Sequence, residues 1–297
     1  IGIAEAGVEV EARNIRLETA LAWVDLYYGE RQLNELKLLD ESLSDLQSTV
    51  TARLTSGSAR PSQSLEPDQL RAQVSDRRFA LMAEVAKARA RLARYTGDPD
   101  PSVAGVPPEL TINRGALLAG VGDLPSLRAL DAQTAAMDAE TRLARADKTP
   151  DWKVSASYGR REPNYGDLFS VGVSIDLPLF GRKRQDPKIA ARASEAERAR
   201  FDRLAGEREV IAALEGDLAE HAMHHARMEN ARDHLVPLAR KRAKLDFDSY
   251  GAGTLDLGTA LLATLTVAEA EVDLLVREAE VARDAIRINI TYAGDRP

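Results

Sequence analysis

Apolar positions over the first fifty residues recur at helical spacing. Residues 4–55 contain no proline and, past Gly7, a single glycine, Gly29. Leu36, Leu39, Leu43, Leu46 and Val50 alternate steps of three and four, which predicts a coiled-coil seam. A helix of that span runs for roughly 75 Å at about 1.5 Å per residue, several times the length of an average globular helix. Residues 55–62, Thr-Ser-Gly-Ser-Ala-Arg-Pro-Ser, form a turn cluster, and Pro67 suits the first turn of a new helix. That helix runs to about Tyr95, with Leu70, Val74, Leu81, Val85, Ala88, Leu92 and Tyr95 on one stripe. Gly97, Asp98, Pro99 and Pro101 end it. The two helices therefore form an antiparallel hairpin, residues 1–97.

The period then changes twice. Residues 98–150 are broken by Pro99, Pro101, Pro107, Pro108 and Pro125, with helix signal returning from Pro125 to Asp147. This reads as a compact connector. Within 151–180 the period falls to two. Phe169, Val171, Val173, Ile175 and Leu177 share one face of a strand and Ser170, Gly172, Ser174 and Asp176 the other. The run from Trp152 to Tyr158 alternates in the same way, and Gly159 to Asp167 reads as the loop between them. Two readings stay open for this hairpin. One is a soluble ribbon with one face packed on helices. The other is a pair of membrane strands, whose length of about 9 to 11 residues these nearly reach, with Trp152 and Tyr158 at the interfaces.

Residues 181–297 repeat the opening pattern. Gly181 to Gln185 is a basic turn, and Asp186-Pro187 suits an N-cap and first helical position. A third long helix continues to about Phe247, with Leu204, Ile211, Leu214, Leu218, Met228 and Leu235 near a heptad seam and Pro237 expected to kink it. Residues 249–254, Ser-Tyr-Gly-Ala-Gly-Thr, are the second turn, and a fourth helix spans Leu257 to Tyr292. Gly57 and Gly97 stand 40 residues apart, and Gly253 and Gly294 stand 41. The chain thus carries an internal duplication, the signature of units that stack or close into rings. The fold class is mainly α: two long antiparallel coiled-coil helical hairpins, a short connector and one β-hairpin.

Composition narrows the function. With 40 Lys plus Arg against 47 Asp plus Glu, the net charge of -7 excludes a nucleic-acid binder built on a basic face. The absence of cysteine removes disulfides, thiolate zinc sites and a Cys nucleophile. No stretch approaches the ~18 to 20 apolar residues of a membrane-spanning helix, and no signal peptide is visible. The helical pattern is already running at Ile3, Val8 and Ile15, so a chain cut near its N-terminus is expected. No nucleophile elbow, phosphate loop or His-Glu-x-x-His motif occurs, so neither enzyme activity nor a cofactor is expected.

One cluster has metal-ligand chemistry. All four histidines lie between His221 and His234, and His221 and His225 are four apart on one helical face. They also continue the apolar seam from Leu214 and Leu218, so packing against the adjacent helix is the competing reading. They are weak candidates for a metal contact, and no firm metal site is predicted.

In order, these elements resemble the TolC-type outer-membrane factors of tripartite efflux pumps. Residues 20–28, Ala-Leu-Ala-Trp-Val-Asp-Leu-Tyr-Tyr, resemble the family's first long helix. Residues 150–158 and 174–180 resemble its second barrel hairpin and exit, and Leu235 to Ala239, Tyr250 to Gly253 and Leu261 to Ala263 its second tip. The strand exit with Arg182, Lys183, Arg184 and Gln185 is most similar to the heavy-metal cation (CzcC-like) branch. The resemblance implies a homotrimer at the outer membrane with a periplasmic helical tunnel. It makes membrane strands the favoured reading of the hairpin, and it implies a fragment lacking the family's N-terminal β-hairpin. Exported substrate, metal cations or small toxic compounds, would pass unchanged. A periplasmic adaptor (membrane fusion) protein would meet the tips at Gly57, Ser58, Tyr250, Gly253 and Thr254, and an inner-membrane pump would act through it. The family's aspartate gate is not carried over: the matching positions are Thr259 and Leu262, with Leu255 where an Arg stands. Asp246, Asp248 and Asp256 would supply a substitute acidic constriction. The alternatives are an adaptor-like coiled-coil scaffold, which would show one hairpin between lipoyl-like β segments, and an enzyme using a histidine-bound metal.

Overall fold

A computed structural model describes residues 2–55, 65–108, 110–160, 166–176 and 181–293, side chains excepted at 2, 3, 46 and 48–55. Its elements are α1 (Gly2–Thr55), α2 (Glu66–Thr96), α3 (Arg114–Gly120), a 3-10 turn (Val121–Asp123), α4 (Pro125–Ala146), β1 (Asp151–Gly159), β2 (Leu168–Asp176), α5 (Gly181–Asn230), a π-helical turn (Ala231–Leu235), α6 (Val236–Gly251) and α7 (Leu257–Tyr292). The chain is mainly α with one β-hairpin, as the patterning predicts. None of the described helices is long and apolar enough to cross a membrane.

The chain divides into two compact units. One holds residues 1–10 and 121–211. Here α4 lies antiparallel to α5. Arg203 Nε donates to Asp131 Oδ1 at 2.8 Å, Arg200 to Asp138 at 2.7 Å and Lys188 to Asp147 at 2.5 Å. The helices approach closely because the α5 face is small. Ala196 and Ala199 are buried, and a Cβ on Gly206 would lie 2.8 Å from Leu130 Cδ1. Leu204, predicted for the seam, is instead exposed, as is Leu235 in the other unit. Alanine, which carries little pattern signal, holds the buried positions. The start of α5 also differs from expectation. The helix begins at Gly181, the basic run 182–184 is helical, and Pro187 sits inside it. Pro187 is the seventh residue of the helix, past the first four N–H groups that lack partners anyway, so it costs the ladder hydrogen bond to Lys183 O.

The other unit holds residues 11–120 and 212–297. Helix α2 returns along α1, pinned by Arg71 Nε to Asp40 Oδ1 at 2.9 Å and Arg89 Nη2 to Glu30 Oε1 at 2.7 Å. Helix α7 also runs antiparallel to α1, with Arg283 Nε donating to Asp25 Oδ1 at 2.6 Å. The predicted seam is real: Leu36, Leu39 and Leu43 pack with Leu70 and Val74 of α2 and Leu257, Leu261 and Leu265 of α7. A second cluster joins Ala22 and Leu26 to Val85, Ala88 and Leu92. A third joins Val24 and Tyr28 to Leu275, Ala279 and Ile286. Each fully buried leucine contributes roughly 1.5–3 kcal/mol. Gly29 lets α1 and α2 close: a Cβ there would lie 2.8 Å from Val85 Cγ2. At Pro237, the expected disturbance is a π turn over 231–235, where Val236 N–H bonds back to Ala231 O. The wider turn accommodates the ring and the missing donor.

Candidate functional site

Three places bear on function: the ribbon, the second helical tip and the histidine row. The ribbon's register puts like with like. Trp152 pairs with Ile175, Val154 with Val173, Ala156 with Val171 and Tyr158 with Phe169. The intervening pairs, Lys153–Ser174, Ser155–Gly172 and Ser157–Ser170, are polar or small. Cross-strand partners share a face, so one face is continuously apolar and the other polar. All nine residues of each strand are exposed. The large apolar side chains on the ribbon keep between 43% and 75% of their surface open. The reading in which one face packs on helices is therefore overturned. A two-stranded ribbon with open edges and a bare apolar face is marginal in water. Lipid on one face and further strands on both edges would satisfy it. Trp152 and Tyr158 sit about 20 Å apart along β1, six residues at ~3.3 Å, a spacing suited to two interfacial belts.

At the second tip, α6 ends in a hydrogen-bonded turn. Gly253 N–H donates to Tyr250 O and Thr254 N–H to Ser249 O, each at 3.0 Å. Gly253 has φ +76, while a Cβ there would meet nothing within 4 Å. Glycine is required by the left-handed backbone, not by crowding, and the turn stays open to an approaching chain. Tyr250 is half-buried against the leucine cluster of α1, α2 and α7, so it also anchors the tip. Gly57 and Ser58, the first tip, lie outside the described residues.

The acidic residues around this turn have separate roles. Asp256 is the N-cap of α7: its Oδ1 accepts from Thr259 N–H at 3.0 Å and its Oδ2 from the Thr259 hydroxyl at 2.7 Å. The hydroxyl bond chiefly, with the amide, holds its carboxyl below the ordinary aspartate range. Asp246 is 3.6 Å from Arg242 and Asp248 is exposed. Glu66, at the start of α2, faces Asp256 across Gly258. Burial first and that charge second raise its pKa.

The histidines separate by role. His224, not His225, faces α7, with Nδ1 2.7 Å from Asp284 Oδ2 and Nε2 3.9 Å from Glu280 Oε2. Asp284 is 3% exposed and also accepts from Arg287 Nη2 at 2.6 Å. His221 is half-buried, its Nδ1 sealed and without a partner, and burial lowers its pKa. His225 is 47% exposed and lies 3.6 Å from Glu229. Pattern reading placed His225 on the packed face because steps of three and four are equivalent in sequence. Nothing there marked Asp284. Among the described residues, no group of three His, Asp or Glu side chains is arranged to hold a metal ion. A cleft of about 350 Å³ is lined by Asp25, Glu84, Lys87, Arg91 and Arg283. Its charges are already matched: Asp25 with Arg91 and Arg283, Lys87 with Glu84.

The described residues thus combine long antiparallel helices with one amphipathic ribbon whose apolar face is bare. The sequence pattern of the outer membrane efflux protein family matches residues 123–290, more than half the chain. The chain belongs to that family. The nickel and cobalt resistance protein CnrC of Cupriavidus metallidurans is 33% identical over 121 residues, covering 39% of this chain and 28% of CnrC. Among solved structures, the outer-membrane channel OprN aligns over 99% of this chain and 69% of its own with a TM-score of 0.85 at 20% identity. CusC aligns over 99% and 72% with a TM-score of 0.87 at 13% identity. At these identities the structures show the shared fold alone. The matched stretch is under a third of CnrC's length.

Proposed function

We propose that this chain is a protomer of the outer-membrane exit duct of a tripartite efflux system. The observation that carries this reading is the ribbon: an unbroken apolar face in register with a small polar one, with both open to solvent. In a homotrimer the ribbons would join further strands into one barrel, apolar side to lipid and Ser155, Ser157, Ser170 and Ser174 to the lumen. The helical hairpins would continue the duct into the periplasm. Substrate passes without chemical change, so the protein is not an enzyme and needs no cofactor; the driving energy belongs to an inner-membrane pump. A periplasmic adaptor meets the tips at Gly57, Ser58, Tyr250, Gly253 and Thr254. Asp246, Asp248 and Asp256 flank the second tip, and three such tips in a trimer would favour cations by charge. The name of CnrC supports divalent metal cations as cargo.

The test is export. Cells lacking the gene should retain nickel, cobalt or zinc above wild-type levels, read by elemental analysis, and its return should restore the difference. Unchanged retention of metals and of small organic toxicants alike would overturn the proposal.

A further inference from the structure

The histidine row holds a feature that the duct reading does not use. His221 and His225 occupy successive turns of α5, their ring centroids 6.2 Å apart and their planes tilted by 54°. At a metal–nitrogen distance of about 2.0–2.1 Å, two imidazoles on one ion place their centroids roughly 4.5–5.5 Å apart. Rotation about χ1 and χ2 would have to bring the two rings about 1 Å closer. The Nδ1 of His221 is sealed inside, and the Nδ1 of His225 is turned toward Glu229 Oε2 at 3.6 Å. Nε2 is the nitrogen through which each ring would bind an ion. A carboxylate hydrogen-bonded to the distal nitrogen fixes ring orientation and raises ligand basicity; Glu229 stands on that side of His225, its Oε2 3.6 Å from Nδ1 and beyond hydrogen-bond distance.

The neighbours separate this pair from the rest of the row. His224 is 14% exposed, its Nδ1 engaged by Asp284 and its Nε2 facing Glu280. It belongs to the contact between α5 and α7.

We propose that His221 and His225 chelate one borderline transition-metal cation of the Ni2+, Cu2+ or Zn2+ class, with water completing the coordination. Imidazole selects this class over Mg2+ and Ca2+, which prefer oxygen. Two protein ligands make a shallow, exchangeable site rather than a structural one. The claim concerns binding and stands apart from export.

Calorimetric titration of the 297-residue chain, free of any polyhistidine tag, with NiCl2 and ZnCl2 at pH 7.5 tests it. One ion should bind per chain, and MgCl2 should give no heat. His225→Gln, at an exposed position, should weaken binding about 10- to 100-fold. His221→Gln should do the same, and His234→Gln should leave it unchanged. Circular dichroism confirms that each variant is folded. Absence of binding by the wild-type chain, or binding that survives both His221→Gln and His225→Gln, would overturn the proposal. Unchanged metal retention in cells lacking the gene, with binding intact, would count against metal as the duct's cargo and leave the site standing.

Discussion

Asp284 of α7 meets Nδ1 of His224 on α5 at 2.7 Å while keeping only 3% of its surface open. With Arg287 on its other oxygen, it is the centre of a buried polar contact between two long helices. Removing one partner of such a contact strands the others in a place water cannot reach. Asp284→Ala should lower stability by about 3–5 kcal/mol, read from urea unfolding. Asp284→Asn, which keeps shape and one acceptor, should cost less. A loss under about 1 kcal/mol for the alanine variant would show that the pair is not buried as described.

Gly29 should resist the usual gain from alanine in a helix. Alanine offers about 1 kcal/mol of propensity, but its Cβ would lie 2.8 Å from Val85 Cγ2, and Val85 is buried with a stiff χ1. Gly29→Ala should therefore be net destabilising by about 1 kcal/mol. In a Val85→Ala background the same substitution should become stabilising. A Gly29→Ala variant more stable than wild type would remove the close approach of α1 and α2.

His221 gives the fold an acid-sensitive element. Burial chiefly sets its pKa below the ordinary 6.5, against the opposing pull of Asp284, with His225 and His224 adding to the decrease. The unfolded chain therefore takes up the proton first as pH falls. The stability tied to the neutral ring is complete above pH 6.5 and lost as pH drops through that value toward the folded pKa. His221→Gln should be relatively more stable than wild type at pH 5 than at pH 7.5, compared by urea midpoints. An equal offset at both pH values would contradict the assignment.

Asp256 is expected to act as a helix cap. Asp256→Ala should lower the melting temperature, because Thr259 N–H loses its acceptor. Asp256→Asn should be near neutral, since an amide oxygen caps as well. If the charge itself matters for a constriction, single-channel cation selectivity should fall in both variants alike. The two measurements separate the roles.

Much of this architecture was legible because period is a physical signal. Leu36, Leu39 and Leu43 announced the seam, and the alternation from Phe169 to Asp176 announced a two-faced strand. What stayed hidden was decided by small residues and by partners distant in sequence. Ala196, Ala199 and Gly206 line a close helix contact that no hydrophobic pattern marks. The choice of His224 over His225 depends on the roll of α5 against α7, which a spacing of three or four leaves open. Asp284 looks like any surface aspartate until Arg287 and His224 surround it. The basic run 182–184 read as a turn because Pro187 suggested a later helix start.

The central claim is that the ribbon's two faces meet lipid and water. Single nitroxide labels at Val154, Ser155, Val171, Gly172, Val173 and Ser174, in protein reconstituted into liposomes, test it through accessibility to oxygen and to a water-soluble nickel chelate. Alternation is expected along each strand, with 154, 171 and 173 favouring oxygen and 155, 172 and 174 favouring the chelate. Equal chelate access at all six positions would contradict it.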